Sequence, residues 1–254
     1  MLELRRVCKR FHGISAVEDV SFQARPGEIT GYLGPNGSGK STTMKAISGL
    51  METTSGEILF AGAAIGADPL AFKRRMGYVP EEPHLYTHLS GLEYLTMVAQ
   101  LRRLPDRQAS ARIDGLLRAF ALHGDRHAAI SAYSKGMRQK ILLSAALMHD
   151  PELILLDEPF SGLDPGSALV LRNLLQELAR RGKTILLGSH DLDIVERVCS
   201  HVVILHRARV VADDSIERLR ELMSLPNLEE IFSQLAVEQD TAAIARDIAD
   251  LIRT

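Results

Sequence analysis

Residues 34–42 read Gly34-Pro35-Asn36-Gly37-Ser38-Gly39-Lys40-Ser41-Thr42, the spacing Gly-x-x-x-x-Gly-Lys-[Ser/Thr]. A chain of this length meets that pattern by accident on the order of one time in a hundred. An apolar run from Glu28 to Gly34 precedes it, and Met44, Ile47 and Leu50 follow at helical spacing. A turn from strand to helix aims backbone N–H groups and the positive helix end at one point, where a polyphosphate fits. A side chain at Gly37 or Gly39 would clash with the phosphates or forbid the backbone angles that turn those groups inward. Lys40 then reaches the β- and γ-phosphates of a nucleotide, and the Ser41 hydroxyl ligates Mg²⁺. A plain turn needs neither residue.

Two further segments end in groups that could complete such chemistry. Leu153-Ile154-Leu155-Leu156 is a buried-type strand that stops at Asp157-Glu158, which delivers both acids to the carboxyl edge of a sheet. Asp157 suits the metal; Glu158 suits the attacking water, as orienter or base. Acids at a strand end equally begin a turn or cap a helix. Thr184 to Gly188 likewise ends at Ser189-His190-Asp191, where His190 can touch the γ-phosphate or the water, or simply cap and pack.

The elements that must position these groups alternate in type. Leu2–Val7, Val20–Ala24 and Glu28–Gly34 read as strands, then a helix follows from Gly39 to Leu50, then short strands at Gly56–Phe60 and Met76–Val79. Between Ser90 and Met148 lie three helical patterns, broken near Pro105 and His123-Gly124, with no convincing strand. Strand and helix alternate again through Leu153–Asp157, a helix to Arg180, Thr184–Gly188, a helix to Val198 and His201–Leu205. A hairpin near Ala208–Val211 precedes a helical tail with Leu228-Glu229-Glu230-Ile231-Phe232 and an amphipathic stretch from Thr241 to Ile252.

The 254 residues are 46% hydrophobic and 24% charged, enough for a real core. The 30 basic and 32 acidic residues are scattered, so no basic field points to nucleic acid or to an anionic membrane surface. No apolar run suits a spanning helix, which leads to the expectation of a cytoplasmic chain that meets a membrane only through a protein partner. Cys8 and Cys199 lack metal-ligand spacing and are expected to be inert and buried.

Taken in order, these motifs resemble the ATP-binding domain of the ABC family. Between the phosphate loop and the paired acids lies Tyr133-Ser134-Lys135-Gly136-Met137-Arg138-Gln139-Lys140, similar to the family's Leu-Ser-Gly-Gly-Gln loop. Ser134 and Gly136 match it; Tyr133, Lys135 and Met137 depart from it. The resemblance implies that Ser134, Lys135, Gly136 and Met137 complete the ATP site of an opposite subunit, with Lys135 adding a positive charge. It also implies that Phe11 stacks on adenine, although a lone aromatic after a first strand more often belongs to a core. Ser161-Gly162-Leu163-Asp164 resembles the loop joining the two sites, so Asp164 counts among the nucleotide-site residues. His190 matches the switch histidine. Gly77-Tyr78-Val79-Pro80-Glu81 resembles the family's glutamine loop with glutamate in place of glutamine, so Glu81 joins Ser41 and Asp157 as an expected metal ligand.

The implied fold is α/β: a P-loop NTPase core of mostly parallel sheet, with an N-terminal antiparallel β subdomain and a helical subdomain insert. The ATPase domain would span 1–220, its core 1–85 and 150–220 and its helical insert about 86–149, with a helical extension over 221–254. The implied function is an ATP- and Mg²⁺-dependent ATPase subunit, paired with a second ABC ATPase subunit and powering a separate integral membrane permease. Asp191–Glu196 and the Leu228–Phe232 tail resemble exporter-type members; the tail equally reads as a helix capping the core or the dimer. Competing readings are a soluble ABC-type ATPase of cofactor assembly, repair or translation, and a nucleotide-binding module without hydrolysis.

Overall fold

The computed structural model describes residues 1–82 and 84–236. The chain opens with a hairpin, β1 (Leu2–Phe11) and β2 (Ile14–Ala24), followed by β3 (Ile29–Leu33), α1 (Lys40–Ile47), β4 (Ser55–Phe60), β5 (Ala63–Ala64), α2 (Pro69–Arg75) and β6 (Met76–Val79). β1 pairs antiparallel with β2 on one side and β4 on the other, giving a four-stranded sheet of order β2-β1-β4-β5. Its inner face, with Leu2, Leu4, Val7, Val20 and Phe22, is buried against Tyr32, Met44 and Ile47.

Helices follow without a strand: α3 (Gly91–Leu101), α4 (Asp106–Ala119), a short 3-10 turn at Ile130–Ala132 and α5 (Lys135–Leu147). Ser90 starts α3 with a capping box, its hydroxyl taking the Glu93 N–H while the Glu93 carboxylate takes the Ser90 N–H at 2.8 Å. Leu95, Ile113, Leu117, Ile130 and Ile141 bury the facing stripes of these helices, each contributing about 1.5–3 kcal/mol relative to exposure. α5 also packs on β6, which fastens the insert to the core.

The chain then returns with β7 (Leu153–Asp157), α6 (Pro165–Arg180), β8 (Thr184–Gly188), α7 (Leu192–Val198), β9 (His201–His206), β10 (Arg209–Ser215), α8 (Ile216–Met223) and α9 (Leu228–Ala236). The second sheet has the order β10-β9-β3-β8-β7-β6 and is parallel except at its β10-β9 hairpin. The carboxyl ends of β3, β6, β7 and β8 therefore meet along one edge, where the phosphate loop, Glu81, Asp157-Glu158 and Ser189-His190 emerge. Fold and class agree with the α/β expectation.

Four local features differ from the sequence reading. β2 begins six residues earlier than expected, at Ile14, because residues 14–19 carry little apolar alternation: Ile14 is exposed and Val17 alone among them is buried. α2 and the two-residue β5 went unread. Cys8 is only half-buried: Val7 takes the core face of β1, and the Cys8 sulfur turns outward to accept the Asp19 N–H at 3.3 Å. Cys199 is fully enclosed, and burial pushes its thiol well above the usual range. The expected helix over Thr241–Ile252 lies outside the described residues. The position 220 falls inside α8.

Candidate nucleotide site

Lys40 is the first residue of α1, and Gly39 before it is left-handed, with φ 103° and no side chain to cap the helix. The first-turn N–H groups are thus free of a side-chain partner, and no acid competes for them. A Cβ on Gly39 would lie 2.3 Å from the Ala16 carbonyl of β2, while Gly37, with φ 80°, faces open space and needs glycine for its backbone angle alone. The Lys40 ammonium curls over the loop, donating to the carbonyls of Gly34 and, at 3.2 Å, Pro35. Burial lowers its pKa, against the opposing pull of Glu158, Asp157 and Glu81.

Asp157 ends β7 and is 2% exposed. Burial raises its pKa to about 6, helped by the neighbouring negative charges of Glu81 and Glu158 and opposed by a Ser41 hydrogen bond and the Lys40 charge. A buried carboxylate crowded by two others and bonded to a hydroxyl has the surplus negative charge and oxygen chemistry that a divalent cation neutralises. Ser41, Asp157 and exposed Glu81 fit Mg²⁺ in the mode where it keeps several waters. Among the described residues no three His, Cys, Asp or Glu side chains converge as a cage.

Glu158 has a left-handed backbone, φ 50°, which swings its side chain off the strand axis toward β8. Its Oε1 accepts the His190 N–H at 2.8 Å and faces His190 Nδ1 at 2.7 Å, and its Oε2 accepts the Ser189 hydroxyl at 3.2 Å. Ser189 was not singled out from the sequence, although it sits directly between the strand end and the histidine. Lys40, Ser41, Thr42, Glu81, Asp157, Glu158 and His190 line one cavity of about 250 Å³ with Asn36, Gly37 and Gly39. Gly34, Pro35 and Asn36 border a second space, which shares Asn36, Glu81 and His190 with the first. Ser38 is buried beneath the loop rather than facing either cavity.

The remaining expected residues stand elsewhere. Phe11, 41% exposed at the end of β1, is not a core residue; the Lys9 ammonium lies 5.1 Å from its ring centre. Ser134 caps α5 by accepting the Met137 N–H at 3.2 Å, and Tyr133 fills the apolar position of its motif, 3% exposed, with its hydroxyl donating to the Asp125 carbonyl. Lys135 donates to the Ser161 hydroxyl at 2.7 Å, and its methylenes cross Gly162. A Cβ on Gly136 would lie 2.5 Å from the Gly162 carbonyl, so the two loops touch backbone to backbone. Asp164 caps α6 through Ser167, which holds its carboxyl low, and pairs with Lys140 at 3.4 Å. Ser134, Lys135, Gly136, Met137 and Asp164 line neither cavity.

A glycine-rich loop before a helix, with lysine inside it and two acids at the next strand but one, defines a P-loop nucleotide-binding fold. Residues 17–161 match the family model described as ABC transporter. "ABC transporter ATP-binding protein NatA" of Bacillus subtilis (strain 168) is 35% identical over 237 residues, 91% of this chain and 96% of that one. "Linearmycin resistance ATP-binding protein LnrL" of the same organism is 35% identical over 84% of this chain and 68% of its own length. A solved "ATP binding subunit of ABC transporter" superposes with a TM-score of 0.88 at 35% identity, covering 92% of this chain and 99% of that one. The chain belongs to the ABC transporter family, as an ATP-binding subunit and an ATPase.

Proposed function

We propose that this chain is one of a pair of ATPase subunits that drive a separate membrane permease in the direction of export. Each of two ATP molecules would lie between the phosphate loop of one chain and the Ser134 loop of the other. The observation that carries this reading is the division of the site residues. Lys40, Asp157, Glu158 and His190 converge, whereas Ser134, at an α-helix start suited to an anion, faces neither cavity of its own chain.

Within each site, Gly34 to Thr42 would wrap the phosphates, Lys40 would leave the loop carbonyls for the γ-phosphate, and Phe11 would stack on the base. Mg²⁺, when held by Ser41, Asp157 and Glu81, neutralises phosphate charge. Glu158 would orient the water and accept its proton, and His190, held by the same carboxylate, would present its free nitrogen to the γ-phosphate. Lys135, tied to Ser161, would carry the Ser134 loop and the Asp164 loop together as the dimer closes. Closure and hydrolysis would move the helical insert against the core and so drive the permease.

Export is supported by the likeness of 191–196 and of Leu228–Phe232 to exporter-type members, and by the resistance role in the name of one relative. Among the described residues no helix is long and apolar enough to cross a membrane, which agrees with a subunit held at the cytoplasmic face by its permease. The test is to tag the chain in its native cells, extract membranes in mild detergent and identify what co-purifies with and without ATP. A polytopic membrane protein in stoichiometric amount is expected. Recovery only with ribosomes, DNA or an assembly scaffold would contradict the transport reading.

A further inference from the structure

The C-terminal helices are fastened to the segment that carries His190. Arg220 of α8 is paired with Glu196 of α7, and α9 packs on α7, α8 and β9 with Leu228 and Ile231 fully buried. Asn227 starts α9, its side-chain oxygen accepting the Glu230 N–H at 2.8 Å. From that frame the half-buried Phe232 lines a cavity of about 270 Å³, shared with Pro35, Asn36, Ser189, His190 and Leu192.

Ser189, which lines the same cavity, belongs to a short relay to Glu158. Asp191 caps α7 by accepting the Ile194 N–H at 3.1 Å, its own N–H donates to Ser189 Oγ at 3.1 Å, and that hydroxyl donates to Glu158. The His190 side chain is 74% exposed and is held to the protein chiefly through Glu158. Phe232 and Leu192, two residues beyond His190, both line this cavity, and α9 packs on α7, so the ring bounds the space into which the segment can move. Packing of this kind matters because small displacements of an aligned group cost far more in rate than in binding.

We infer that Phe232 is a positioning residue for the segment Ser189–Leu192, and that through it the C-terminal helix sets the rate of ATP hydrolysis. The inference rests on the proposed role of His190.

Steady-state hydrolysis by the purified full-length chain tests it. Phe232→Ala lowers kcat about tenfold while KM for Mg·ATP stays within about twofold. Phe232→Leu, which keeps an apolar wall, restores at least about half of the wild-type rate. Leu192→Ala removes the apolar side chain that lines the same cavity from α7 and reproduces the kcat loss, which separates positioning from a folding defect particular to α9. Wild-type turnover in both alanine variants overturns the inference and leaves the His190 reading in place, as does a loss matched by an equal rise in KM. His190→Ala hydrolysing at the wild-type rate overturns that reading and the inference with it.

Discussion

One oxygen of Glu158 receives both the backbone N–H of His190, at 2.8 Å, and the ring Nδ1, at 2.7 Å. An ionised carboxylate only accepts, so Nδ1 carries the hydrogen and Nε2 is left free to act. The base and its neighbour thus fix each other's orientation. His190→Ala is expected to lower kcat about a hundredfold with ATP binding retained, as read by turnover against equilibrium binding of a fluorescent nucleotide.

Asp157 carries a stability cost that pH reveals. Its pKa is raised to about 6 in the folded chain, above the ordinary carboxylate range, so the folded state binds more protons than the unfolded state between the two values. Stability from this group is therefore present at low pH and is lost as pH rises toward and through 6. Without Mg²⁺ or nucleotide, Asp157→Asn should raise Tm by a few degrees above pH 6, and the gain should shrink as pH falls into the ordinary carboxylate range. Thermal unfolding across pH checks both parts.

Glu81 contributes to that same crowding, second only to burial. As a metal ligand it should make Glu81→Ala need several times more Mg²⁺ for half-maximal hydrolysis. A magnesium titration at saturating ATP reads this directly; an unchanged curve and rate would remove Glu81 from the metal site.

Gly136 and Gly162 hold the two remaining loops in register. With a Cβ only 2.5 Å from the Gly162 carbonyl, Gly136→Ala must push the 161–164 loop away from α5. The expected cost is about 1–3 kcal/mol of stability, read by urea denaturation, with hydrolysis reduced at saturating ATP.

Where a strand is buried on both faces, its apolar run and its punctuation coincide, which is why Met76–Val79, Leu153–Asp157 and Thr184–Gly188 were legible to the residue. The opening of β2 lacks that signal, since Ile14 is 75% exposed and Val17 is the one buried residue over 14–19. α2 buries Phe72 alone, so no helical period could form; its trace was local, Asp68 as cap and Pro69 at the first position. The phosphate loop, Asp157, Glu158 and His190 were legible because each sits in a short contiguous motif. Ser189, the Lys135–Ser161 tie and the cavity that Phe232 shares with His190 join separate elements, and only the folded chain brings them together.

The central claim is that ATP closes two chains over two shared sites, and Glu158→Gln tests it by keeping the nucleotide site while removing the base. Sedimentation with Mg·ATP should give a species of twice the 28.0 kDa chain mass, reverting to single chains when ATP is withdrawn or when Ser134 is also replaced by Arg. Glu158→Gln that binds ATP yet stays at the single-chain mass at high protein concentration would contradict the account.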